Sequence, residues 1–211
     1  MATGSFLQRH LPSTAFVLVL LLALAAFAGV FVYAGIYNIG ADAPHSGLVY
    51  NVLQELRDRS VANGARGIQP PADLNSPKRI AAGAGLYAEM CTGCHLGPGI
   101  EKSEMSQGLY PQAPELARGT DLSPAQQFWT IKHGIKLTAM PAWGKTHSDE
   151  LIWDMVALLQ RLPKLSPEQY KALVASAPED HEEMMEQMKG GAAHAPPEAA
   201  EEHSHPHDHS H

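Results

Sequence analysis

Residues 11–41 carry no charged side chain, and the apolar run FVLVLLLALAAFAGVFVYAGI fills positions 16–36. As a helix that run rises about 31 Å at ~1.5 Å per residue, the thickness of a bilayer's hydrocarbon core. It splits the chain before any other feature does, because a stretch so apolar belongs in a membrane or is removed on the way through one. Arg9 and the amino terminus precede it, whereas Asp42, Glu55, Arg57 and Asp58 follow. This weak positive-inside signal predicts a cytoplasmic N-terminus at residues 1–10, a membrane span over 11–40 and an exported remainder. Ala26-Phe27-Ala28 also offers an A-x-A cleavage site, so a removed signal peptide is the competing reading. The run continues through Val30, Phe31, Val32, Ile36 and Ile39, and Tyr33 and Tyr37 suit the far interface, which favours a retained anchor. Both readings export the body.

The net charge of −7 over 211 residues argues against a basic nucleic-acid footprint. Two cysteines exclude a disulfide-rich scaffold and a four-cysteine zinc or iron–sulfur site built by this chain alone. The acidity sits at the end: residues 178–211 hold one Lys against nine acids, while 76–177 hold ten basic and nine acidic side chains.

Leu48, Val49, Val52, Leu53 and Leu56 follow an i, i+4, i+8 face and predict a short amphipathic helix close to the membrane. Gln69-Pro70-Pro71 and Asn75-Ser76-Pro77 mark a spacer, so residues 41–76 read as juxtamembrane helix and linker. A domain is expected over 77–177. Its first segment, 77–90, is Ala-rich and helical in propensity. Ser123-Pro124 gives an N-cap and first helical residue, with Gly134 as the stop. Ser148, followed by Asp149 and Glu150, opens a helix whose stripe is Leu151, Ile152, Met155, Leu158, Leu159 and Leu162, ended by Pro163. Ser166-Pro167-Glu168-Gln169 is a capping-box pattern for a last short helix. No segment alternates as a strand does, so the fold class is all-α.

The chemistry is concentrated in Cys91-Thr92-Gly93-Cys94-His95. Two thiols three positions apart, with His directly after, form the c-type haem attachment signature: the thiols reach the two vinyl groups and the His coordinates iron. A thioredoxin-like dithiol needs a strand–helix setting that is absent here, and a zinc site would have to borrow His ligands from elsewhere. One covalent haem c is the expected cofactor.

With this motif in place, residues 77–165 resemble the class I monohaem cytochromes c, more narrowly a membrane-anchored bacterial periplasmic type. Gly83 and Tyr87 stand eight and four residues before Cys91, where that family has a Gly and an aromatic that let its first and last helices cross closely. The partner helix is 151–162, with Leu158 where the family often has an aromatic. Met140-Pro141-Ala142-Trp143-Gly144 looks like the family's distal loop, with the Met140 thioether as sixth iron ligand. Among the domain's other methionines, Met90 and Met155 read as packing residues, and Met105, only ten residues past His95, needs a very tight loop. His133 and His147 are bis-His alternatives. A Met/His pair raises the potential and saturates the iron, which suits electron transfer over substrate activation. Pro98 resembles the proline whose carbonyl orients the proximal His. Tyr110 and Trp143 either reach haem propionates or pack on the porphyrin. Lys132, Lys136 and Lys145 bracket the distal loop and are open to steering an acidic partner or to simple solvation.

The tail at 178–211 holds seven of the twelve His, ending in His203, His205, His207, His209 and His211. Its acidic, low-complexity composition predicts disorder. Its imidazoles, with Met184, Met185 and Met188, offer ligands for copper, nickel or zinc. The reading that follows is an electron carrier and not an enzyme, or a cytochrome subunit of a larger oxidoreductase. It is expected on the outer face of the bacterial inner membrane, serving an oxidase, a quinol-oxidising complex or a dehydrogenase there or in the periplasm. A ligand-binding haem sensor or catalyst, and a metal-handling protein acting through the tail, are the two rivals. No phosphate loop, Ser–His–Asp set or paired carboxylates support a hydrolase or transferase.

Overall fold

A computed structural model describes residues 13–177, and among these every regular element is helical. Eight α-helices are present: α1 Thr14–Tyr33, α2 Gly47–Gly64, α3 Pro77–Met90, α4 Thr92–His95, α5 Glu104–Gly108, α6 Pro124–His133, α7 Asp149–Leu159 and α8 Pro167–Ala175. Short 3₁₀ turns lie at Leu116–Arg118, Trp143–Lys145 and Leu162–Lys164. The chain divides into two compact units, Met1–His45 and Ser46–His211.

In the first unit α1 buries no residue and is long and apolar enough to cross a membrane. Beyond it, Tyr37 and His45 stack at 5.9 Å and share a 2.6 Å hydrogen bond between Oη and Nδ1.

Serine starts the helices of the second unit. Ser76, Ser123, Ser148 and Ser166 each accept a backbone N–H three residues on, satisfying one of the donors a helix start leaves open. At Ser123 and Ser166 the third helical residue, Gln126 or Gln169, returns the bond and completes a capping box. The centre of the unit is the crossing of α3 with α7. Gly83 makes the crossing possible, because a Cβ there would overlap the Asp154 carbonyl and come within 3.2 Å of the Leu158 Cβ. Ile152, Met155, Val156 and Leu158 are fully enclosed on α7. Helix α6 joins them through Phe128, stacked on Trp153 at 4.2 Å. Helix α8 closes the far side, setting Tyr170 edge-on to Tyr87 at 6.4 Å.

Arg79 clamps the crossing. Its guanidinium meets Asp73 at 2.9 Å, ahead of α3, and Glu150 and Asp154 of α7 at 2.7 Å each. Helix α2 is longer than the apolar positions 48–56 suggest and runs on to Gly64. Its last turn packs on the domain, with Val61 buried and Gly64 so close to Trp129 of α6 that a Cβ would overlap the indole.

Candidate functional site

The site grows from the end of α3. Cys91 caps α3 and begins the single turn α4, which carries Cys94 and His95. One short helical turn therefore carries both thiols and His95. Tyr87, one turn earlier, donates its hydroxyl to the Leu96 carbonyl at 2.7 Å and fixes the exit of the turn against the core.

His95 Nδ1 lies 2.9 Å from the Pro114 carbonyl. A carbonyl only accepts, so Nδ1 carries the proton and the lone pair is on Nε2. Burial holds the imidazole below its ordinary pKa, outweighing the Pro114 bond that favours the charged form. The ring is therefore neutral, oriented and able to ligate a metal through Nε2. The orienting carbonyl belongs to Pro114 and not to Pro98, which corrects the expectation from sequence. Pro98 instead lines a cleft with Ile100, Tyr170 and Lys171, on the side of the turn covered by α8. A proline one loop further on was available in Ala113-Pro114-Glu115-Leu116, but which carbonyl reaches the ring depends on how residues 96–114 return.

Both cysteines are free thiols. Burial, then the neighbouring Cys94, pushes the Cys91 thiol up to about 12. Among the described residues no three His, Cys, Asp or Glu side chains gather to share a metal ion.

Met105, set aside from sequence as too near His95 to ligate iron, meets the cysteine turn instead. Its Sδ lies 3.4 Å from Cys94 Sγ, and its side chain is 62 % exposed. Ser103 draws α5 there by donating to the Gly93 carbonyl at 2.6 Å. Five helical residues are too few to show a period, so nothing in the local pattern announces this contact.

Met140 is carried by the loop that follows α6. Gly134 ends α6 at φ +64°, where a Cβ would come within 2.7 Å of the Met140 carbonyl. The loop is closed by Ile135 N–H donating to Met140 C=O at 3.2 Å. Inside it, Thr138 Oγ1 donates to Ile135 C=O at 2.8 Å and accepts from Met140 N–H at 3.1 Å. Met140 and Trp143 are half-buried and pack on the core. Trp143 stands edge-on to His147 at 5.3 Å, and His147 Nδ1 lies 2.9 Å from Thr146 Oγ1. His133 is exposed and leans on Trp129 at 4.9 Å. Tyr110 is half-buried in the loop before Pro114. Lys132 is paired with Asp149 at 2.7 Å, while Lys136 and Lys145 are exposed. The expected tail ligands His203, His205, His207, His209 and His211 lie outside the described residues.

Residues 78–159 match the family model described as "Cytochrome C oxidase, cbb3-type, subunit III". No curated protein and no solved structure matches the chain.

Proposed function

Residues 78–159 form a class I monohaem cytochrome c domain, a haem-binding electron-transfer module, and from that premise we propose a membrane-tethered carrier of single electrons. Cys91 and Cys94 would bond the haem through their sulfurs, and His95, through Nε2, and Met140 would hold its iron. When bound, the haem supplies a metal that changes charge by one electron.

The observation that carries this reading is the 2.9 Å contact from His95 Nδ1 to Pro114 C=O, at the end of a turn bearing two free thiols. It fixes the tautomer and the ring plane that axial ligation needs. Met140 is favoured over the alternatives by what each side chain is already doing. Met155 is fully enclosed in the core and Met90 packs against it. Met105 is already in contact with Cys94 Sγ at 3.4 Å. His147 is wedged between Trp143 and Thr146. With His95 and Met140 both committed to it, the bound group would suit electron transfer over substrate activation.

Helix α1 supports a single membrane span, and Arg9 ahead of it supports a domain on the outer, periplasmic face of a bacterial inner membrane. A tether confines the carrier to the membrane plane and raises its effective concentration for membrane partners. The family match makes a terminal oxidase the first partner to test, ahead of a quinol-oxidising complex or a dehydrogenase.

The test is the absorption spectrum of the reduced protein, matured in a host that attaches c-type haem, before and after carbon monoxide. A low-spin spectrum unchanged by the gas is expected, and Met140→Ala should make the same protein bind it. A wild-type protein that binds the gas rejects closed ligation and points to sensing or catalysis.

A further inference from the structure

Helix α2 has two ends with different surroundings. Its last turn is docked, with Val61 buried and Gly64 against Trp129. Its first half presents Leu48, Val52 and Leu56 to solvent at 76, 57 and 64 % exposure, on one stripe at i, i+4 and i+8. These are branched apolar side chains that no described residue covers, although the helix is amphipathic and Gln54 points to the opposite side. We propose that this stripe lies in the headgroup boundary of the bilayer that α1 crosses, so that α2 rests on the membrane at one end and carries the cytochrome domain at the other. The inference rests on the proposed tether.

Three observations select lipid as the occupant. Only the 13 residues from Ala34 to Ser46 separate α1 from α2. Fully extended they reach about 45 Å, so the stripe starts within reach of the surface where α1 emerges. The charges of α2 are internally paired, Arg59 with Glu55 at 2.6 Å and Arg57 with Asp58 at 2.7 Å. The helix therefore approaches anionic headgroups without an uncompensated acidic face. Finally, Tyr33 and Ile39 are exposed at the end of α1 and in the segment leading to α2; tyrosine favours the membrane–water boundary. Three side chains are a small patch for binding a membrane from solution. They suffice here because α1 already holds them beside it.

The consequence is mechanical. A helix docked at its C-terminal end and seated at its N-terminal half turns a flexible leash into a bracket, limiting the heights and tilts at which the haem edge meets a membrane partner.

The test uses the full holoprotein in vesicles of phosphatidylcholine and phosphatidylglycerol, with a nitroxide attached in turn to Val52→Cys, Leu56→Cys, Gln54→Cys and Leu22→Cys. The haem spectrum of each variant reports that the domain is folded. Electron paramagnetic resonance then compares collisions with dissolved oxygen, which concentrates in lipid, and with a water-soluble nickel chelate. The expected result is an oxygen-to-nickel ratio severalfold higher at positions 52 and 56 than at 54, and highest at 22. A lipid-like ratio at 22 with water-like ratios at 52 and 56 overturns the inference and leaves the tether standing. A water-like ratio at 22 overturns both. Protection of 52 and 56 from both reagents also overturns it, since it shows a protein surface, from a partner or a second copy, in place of lipid.

Discussion

Tyr170 shows how a single buried hydroxyl sets a pH limit. Its side chain is 5 % exposed, and its Oη has no hydrogen-bond partner among the described residues. Burial, then the Cys91 sulfur while it is a free thiol, pushes the phenol up to about 12 from an ordinary 10. A raised phenol favours the neutral form in the folded state. Its contribution is therefore whole below pH 10 and is lost as the pH rises from there towards 12, by about 3 kcal/mol at most. Tyr170→Phe should remove this alkaline loss. At pH 7 it should leave stability unchanged or raise it by up to ~1 kcal/mol, because a buried hydroxyl without a partner is no longer desolvated. Chemical denaturation of both proteins at pH 7, 9 and 11 checks this; a variant that loses stability at pH 7 shows that the hydroxyl is bonded after all. The same scale shows what sequence could and could not reveal. Cys91, Cys94 and His95 are legible because three adjacent chemical requirements fall in five positions. Pro114 and Met105 are not, because each meets the site through a loop whose return path has no periodicity to read.

The elements were largely legible, and for a local reason. Serine caps, proline at the first helical position and Gly134 after α6 all act within four residues, so they can be read without knowing what the helix packs on. The crossing of α3 and α7 is different, since Gly83 means nothing until a second helix arrives. Resemblance to a family of crossed helices suggested that role, and the packing gives its cause: the α7 backbone at Asp154 takes the space a Cβ would need. Gly83→Ala should push the helices apart and cost about 2–3 kcal/mol or more, seen as a lower denaturation midpoint at an unchanged slope. Gly108→Ala, whose added Cβ meets nothing within 4 Å, should change the midpoint by less than ~0.5 kcal/mol. Equal effects at the two sites would remove the crossing as the explanation. Helix α2 marks the limit of legibility in an element. Its apolar stripe is plain in sequence, but its docked end depends on Gly64 meeting Trp129, residues 65 positions apart.

At the scale of the molecule, the division at His45 separates the apolar helix α1 from the described core. Among the described residues every buried apolar side chain, from Val61 to Tyr170, lies in the unit that begins at Ser46. Folding of the haem-bearing unit should then be independent of α1. A chain of residues 46–211, exported behind a cleavable leader, should mature with the full-length spectrum and unfold within about 0.5 kcal/mol of it, since it keeps every described core residue. Its location should change from the membrane fraction to the soluble one. If the full-length protein is itself soluble and begins after Ala28, the segment is a signal peptide and the tether fails. The released domain also isolates what the tether does for electron transfer. Attachment leaves the haem ligands alone and changes only how often the carrier and a membrane partner meet, an effective concentration on the order of mM for a short linker. The truncated carrier should match the full-length one with a small soluble oxidant. With membranes containing the partner it should need a much higher concentration to reach the same rate. A parallel loss in both assays would place the defect in the domain and not in its delivery.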